Sequence, residues 1–282
     1  MRLRRFLEKP LPDKLESFRF RWGRLFRWMP RPVRLPYGAL WLRWPDSISP
    51  EITRGAFEGA EIRFVDRFLR SGMTVLDIGA HHGLYTLLAS RRVGASGHVV
   101  AFEPSPRERR KLRLHLGLNL VGNVRVESLA LGAEAGEASF YRVDGVETGC
   151  NSLRPPAVQS PVSALRVKLG RLGDYADAHA LANVDFIKMD VEGAELDVLS
   201  GAQSLLNRRP RPIWLVEVSD LRTGPWGYRA QRILEFLEER GYKWFEVFEG
   251  GRLRSMAASR EHLDSNFVAV PEERAEELRA FM

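Results

Sequence analysis

The feature that most constrains this chain is the stretch at 75–86, VLDIGAHHGLYT. TVLDI at 74–78 is a continuous β-branched apolar run of the kind buried on both faces of a parallel sheet. The run carries Asp77 near its end, and Gly79 and Gly83 bracket the turn into a helical pattern at 84–91. Backbone there can pass close to a ligand at a helix N-terminus. In a doubly wound sheet this position, at the carboxyl end of the first strand, is a nucleotide-binding crevice.

The alternation recurs downstream. Strand patterns at 98–102, 124–129, 184–189 and 213–218 interleave with helical patterns at 106–120, 194–206 and 229–240. Upstream, Ile62, Val65, Phe68 and Leu69 at helical spacing place a helix at 58–69, and GALWLRW at 38–44 reads as a short strand. Strands alternating with helices of this length indicate βαβ units with right-handed crossovers. Runs at 244–248 and 267–270 lie on either side of Gly250-Gly251 and predict an antiparallel hairpin closing the sheet. Between 132 and 174 the pattern weakens into short strand-like pieces and a Pro/Ser-rich loop, an insertion over the sheet rather than a second domain. The expected organisation is an arm over 1–45 and one α/β domain over 46–282.

Charge sets the arm apart. The 282 residues carry a net +7, but 1–45 alone hold 12 Lys/Arg against 3 Asp/Glu, so everything after the arm is slightly acidic. Four of the seven tryptophans, Trp22, Trp28, Trp41 and Trp44, also fall there. Basic residues mixed with aromatics suit an anionic membrane surface, or less favourably nucleic acid, while Pro30, Pro32 and Pro36 interrupt any long amphipathic helix. At 44% hydrophobic and 28% charged the chain can build a large core, which excludes a disordered protein. The single cysteine, Cys150, excludes an intramolecular disulfide and every multi-cysteine metal set, and with no evident base partner it reads as inert. No apolar run approaches the roughly 18 residues of a membrane span, and the basic start lacks a signal peptide's apolar stretch. A cytoplasmic protein, at most peripheral to a membrane, is expected.

Two segments carry the chemistry. The first turn has the spacing G-x-x-x-G, with Ala80, His81 and His82 between the glycines, which argues against the pyrophosphate of a dinucleotide. Glu103, 20 residues beyond Gly83 at the tip of the second strand, stands where an acid takes ribose hydroxyls. A glycine turn and a ribose carboxylate without the phosphate fingerprint point to S-adenosylmethionine. The second segment is IKMDVEGAE at 187–195: Lys188 and Asp190, at i and i+2 on a strand tip, point the same way, and Glu192 and Glu195 follow at a helix start. Helix capping accounts for Glu192 and Glu195 as well as function does.

With VLDIGAHHGLYT, AFEPSP, LALG at 129–132, TGCNSL, IKMDVEGAE, LVEVS and NFVAVP in this order, the sequence resembles the FkbM-type family of S-adenosylmethionine-dependent methyltransferases. The resemblance implies a class I methyltransferase (Rossmann-like) fold, a seven-stranded sheet with its last strand antiparallel. It implies S-adenosylmethionine as methyl donor and, as acceptor, a hydroxyl on a sugar or other natural product. Carried over by position, Asp77, Gly79, His81 and Gly83 form the donor-side turn, Glu103 the ribose ligand, and Ser128, Leu129 and Ala130 the edge near adenine. His81 stands where the family pattern G-A-N-x-G has asparagine.

Methyl transfer from a sulfonium is an in-line displacement, so alignment supplies much of the rate and a base serves a weakly acidic hydroxyl. Asp190 is the candidate base, with Lys188 tuning its charge. Glu217, on the same rim, could join Asp190 around a divalent cation, which nothing in the spacing requires. Adjacent histidines on a tight turn are expected to diverge, so no metal pair is assigned to His81 and His82, and the remaining histidines show no ligand spacing. An NAD-linked oxidoreductase lacks its third glycine. A nucleic-acid methyltransferase docking through the arm lacks an N/D-P-P-Y/W motif, and a non-catalytic relative would not need an intact IKMDVEGAE.

Overall fold

The computed structural model describes residues 32–44, 46–181, 183–256 and 262–282. Strands β1 (Pro32–Arg34) and β2 (Leu40–Leu42) pair as a small antiparallel hairpin, followed by α1 (Ser49–Arg54) and α2 (Gly59–Phe68). The βα alternation begins with β3 (Thr74–Ile78), α3 (Leu84–Val93), β4 (His98–Phe102), α4 (Pro106–Leu118) and β5 (Val124–Glu127). A small three-stranded sheet follows, made of β6 (Ala130–Leu131), β7 (Gly136–Val143) and β8 (Val162–Gly170). The alternation resumes with α5 (Leu172–Ala178), β9 (Phe186–Met189), α6 (Glu195–Ser200), α7 (Gln203–Asn207) and β10 (Ile213–Ser219). The chain closes with α8 (Asp220–Thr223), α9 (Gln231–Glu238), β11 (Tyr242–Phe248), β12 (Arg252–Ser255), β13 (Asp264–Pro271) and a 3₁₀ segment, Glu272–Phe281.

The main sheet has the order β12-β11-β13-β10-β9-β3-β4-β5. From β5 to β10 the neighbours are parallel, and β13 inserts antiparallel between β10 and β11. This is the class I methyltransferase order with β12 added at one edge, so the described sheet has eight strands where seven were expected. The expected antiparallel pairing of 244–248 with 267–270 is present between β11 and β13, but not as a hairpin around Gly250-Gly251. The Gly250-Gly251 turn joins β11 to β12, while β13, the last strand, returns to the sheet interior. Its run FVAV is buried on both faces and fits a central position better than an edge.

Strand order reverses between β3 and β9, the switch point at which such sheets bind ligands. Side-chain alternation feeds two cores. Leu76, Ile78, Ile187 and Met189 pack on one face with α6, α7 and α9, and Val75, Val99, Phe186 and Leu215 pack on the other with α2 and α3. The arm boundary at 45 is revised by Trp41, which is fully buried and stacks on His115 of α4 with ring centroids 3.9 Å apart. Residues 32–44 therefore belong to the folded body, through a ring whose burial is worth a few kcal/mol. Trp22, Trp28 and the rest of the arm lie outside the described residues.

Candidate active site

A cavity of about 380 Å³ opens at the carboxyl ends of β3, β4, β9 and β10. Its walls include Asp77, Gly79, His81, Glu103, Leu129, Ala130, Lys188, Asp190 and Glu217 from the sequence reading. Gly83 and Ser128 lie outside it. Gly83 caps α3 at φ 88°, where an added Cβ would stand 2.2 Å from Leu112 Cδ1, so its glycine serves packing. Ser128 is exposed to solvent.

The turn after β3 is fixed by its neighbours. Gly79 has φ 83°, and a Cβ there would fall 1.8 Å from the Asp190 carbonyl oxygen, so the turn and the β9 tip are locked in backbone contact. His81 is left-handed at φ 48°, a region that asparagine and histidine tolerate better than most residues, which accounts physically for His81 at the asparagine position. Glu103 is buried and accepts from His81 N–H at 2.8 Å and Ser105 N–H at 2.7 Å. Burial raises its pKa to about 8, though those two bonds oppose the rise. Asp77 accepts from the Thr86 hydroxyl and is raised by burial to about 6.

The two histidines do not diverge: their rings stack with centroids 3.7 Å apart. His81 Nε2 meets Thr148 Oγ1 at 3.1 Å, and His82 Nε2 lies 2.6 Å from Glu108 Oε2. Lys111 Nζ sits 3.0 Å from the same carboxylate oxygen, and His115 Nδ1 lies 2.7 Å from the His82 carbonyl oxygen. Burial, with the charge of neighbouring groups, lowers His82 to about 4 and His81 to about 3, so both are neutral at physiological pH. His81, His82 and Glu108 are close enough to share an ion, but Lys111 already occupies the carboxylate. This network was invisible in the sequence, because Trp41 of β2, His82 of the turn and the α4 residues Glu108 and His115 come from three separate elements.

The opposite wall is acidic. Lys188 is 2% exposed, donates to Asn266 Oδ1 at 2.7 Å and lies 3.5 Å from Asp190 Oδ2. Burial would depress its pKa, but Asp190, Glu58, Glu217 and Asp77 overcome this and raise it, so the ammonium is retained. Asp190 keeps about a third of its side chain open. Glu192 pairs with Arg222 at 2.8 Å, and burial together with Asp190 raises it to about 8. Glu195 accepts from the N–H groups of Val191 and Gly193 in the loop before α6, which braces that loop rather than capping the helix, and burial raises it to about 7. Glu217 is pushed well above the usual carboxylate range by burial and by Asp190 and Glu192, and its buried Oε2 has no hydrogen-bond partner among the described residues. Carboxylate oxygens of Asp190, Glu192 and Glu217 lie within 4.8 Å of one another.

Two cavity residues escaped the sequence reading. Arg222 sits in a short helix after β10 with no motif around it. Glu58, left-handed at φ 44°, accepts from Tyr85 Oη at 2.5 Å and Asn266 Nδ2 at 2.9 Å. Among the described residues, three of the five non-glycine positions with positive φ (Glu58, His81 and Glu192) line this cavity, as expected where strain gathers at a functional site. Cys150 is half-buried, with its thiol raised by burial, which supports the inert reading.

The residues present fit S-adenosylmethionine: a buried acid at the β4 tip, a glycine turn at the switch point and the apolar wall of Leu129 and Ala130 face one cavity. The sequence model of the methyltransferase FkbM domain matches residues 77–244, more than half of the chain. Among curated proteins, the chain is 29% identical over 202 residues to the AMB antimetabolite synthetase AmbE of Pseudomonas aeruginosa, covering 60% of this chain and 9% of that protein. It is 29% identical to Methyltransferase 1 of Beauveria bassiana over 45% of this chain and 57% of that one. With the 2-O-methyltransferase NoeI of Sinorhizobium fredii the identity is 27%, over 48% and 59%. The chain thus spans less than two thirds of the length of each of these relatives. A solved O-methyltransferase from Thermotoga maritima aligns over 86% of this chain and 78% of its own, at 12% identity and a TM-score of 0.44.

Proposed function

Because the chain belongs to the methyltransferase FkbM domain family, we propose that it transfers a methyl group from S-adenosylmethionine to a hydroxyl oxygen of a sugar or other natural product, with Asp190 as the acceptor-side base. When bound, S-adenosylmethionine supplies an electrophilic methyl on its sulfonium. Glu103 offers carboxylate lone pairs to the ribose hydroxyls, and Gly79 keeps the turn close enough for the donor to lie against it. Asp190 takes the proton of the acceptor hydroxyl at its carboxylate, and Lys188, 3.5 Å away, orients that carboxylate.

The observation that carries this reading is the backbone contact between Gly79 and Asp190. It sets the half-open Asp190 carboxylate beside the turn assigned to the donor, within one cavity. The printed name of one relative, a 2-O-methyltransferase, supports oxygen as the acceptor atom. The test is transfer of labelled methyl from S-adenosylmethionine to a panel of glycans and hydroxylated metabolites, by wild type and Asp190→Asn. Asp190→Asn keeps shape but loses basicity, so kcat should fall on the order of 10²–10⁴-fold while S-adenosylhomocysteine affinity holds. Wild-type turnover in the variant would remove Asp190 from the reaction. Label appearing on nitrogen or carbon would overturn the oxygen assignment.

A further inference from the structure

Helix α4 turns an unusual face to solvent. Leu112, His115 and Leu116 point inward, whereas Arg110, Arg113, Leu114 and Leu118 are exposed, and Leu120 just beyond the helix is 93% exposed. These positions recur at helical spacing and form one basic and apolar face. Among the described residues neither Arg110 nor Arg113 has an acidic partner.

The N-terminal hairpin runs along the same part of the molecule. Leu40 N–H donates to Asn119 Oδ1 at 2.7 Å and Leu42 N–H to His115 Nε2 at 3.1 Å, and Arg43, the next residue, is exposed. Pro32 is the register partner of Leu42, and 31 residues precede it in the sequence. Those 31 residues carry ten Lys/Arg against three acids and include Trp22 and Trp28.

We propose that the outer face of α4, with Arg43, docks on an anionic phospholipid surface. Charge selects this occupant. Residues 1–31 are too basic to cover the arginines of α4, and a second copy would set the same arginines against each other. A nucleic acid would neutralise the arginines but leave three exposed leucines nothing apolar to enter. A bilayer meets both needs: leucines enter the boundary between headgroups and acyl chains, and arginines meet anionic headgroups.

The experiment is co-sedimentation of the full chain with vesicles of phosphatidylcholine alone and of phosphatidylcholine mixed with phosphatidylserine. Binding is expected on the mixed vesicles and should weaken with salt. Arg110→Gln with Arg113→Gln should reduce it by on the order of tenfold or more, since each basic residue near such a surface is worth roughly fivefold. Leu114→Ser, Leu118→Ser and Leu120→Ser together should reduce it by a similar factor while melting temperature and S-adenosylhomocysteine binding stay as in wild type. The two variants change different chemistry, so misfolding of one leaves the other decisive. The proposal is overturned if the wild type ignores mixed vesicles, binds phosphatidylcholine equally well or is unaffected by both variants. It is equally overturned if the variants lose RNA binding and keep vesicle binding.

Discussion

Around the His81-His82 turn the buried acids and imidazoles have partners, although Trp41 Nε1 has none among the described residues: His82 with Glu108, Glu108 with Lys111, His115 with the His82 carbonyl, and Asp46 with the Ser49 N–H at 2.6 Å. Across the cavity, three carboxylates crowd within 4.8 Å, two cations serve two of them, and Glu217 keeps a buried oxygen without a partner among the described residues. The acids and imidazoles of the first wall are satisfied by the protein itself. The second is left with unmet polar capacity, which is where a ligand's own polar groups gain most.

The comparison can be broken most decisively at Glu108. Glu108→Ala leaves the Lys111 ammonium and the His82 imidazole without their buried acceptor, and should cost about 3–5 kcal/mol in chemical denaturation. A loss below 1 kcal/mol would mean that the first wall is not held by this network. Next in size is Glu103→Ala, expected to weaken S-adenosylhomocysteine by about 1.5–3 kcal/mol in titration calorimetry. Unchanged affinity would reduce Glu103 to a backbone cap for His81 and Ser105.

The smallest effect, and the sharpest contrast, is Glu217→Gln. A carboxyl whose folded pKa is raised is least costly below its unfolded value and burdens the fold as pH climbs, so this variant should melt above wild type at neutral pH and lose its advantage below about pH 4.5. The neutral histidines have the opposite sign. With folded values near 3 and 4, they draw stability down as pH falls below about 6.5, in wild type and Glu217→Gln alike. A Glu217→Gln protein less stable than wild type at neutral pH would show that the second wall is as complete as the first.

The parallel strands, the switch-point turn and both chemical segments were legible because apolar runs, glycines and acids at strand tips are local signals. What the sequence concealed depends on distant partners. The helix expected at 194–206 is broken into α6 and α7, and β13, which pairs with β11 as expected, inserts beside β10 while the glycine turn leads into the extra strand β12. Trp41 was read on a short strand inside the arm, and nothing local announces that His115 will receive it. The family resemblance placed Ser128 at the edge near adenine, yet the chain leaves β5 with that side chain in solvent. Arg222 carries no pattern at all, and only the fold brings it to Glu192.

The N-terminal hairpin also sets an order of events during synthesis. Leu42 and its partner His115 are 73 residues apart, so at the usual rate of about 5–20 residues per second the hairpin waits several seconds for the helix that receives Trp41. Throughout that interval the basic, tryptophan-rich stretch has been made but the sheet that follows it in the chain has not. A ribosome translating this message therefore displays the stretch that α4 will later accompany before either has a folded partner.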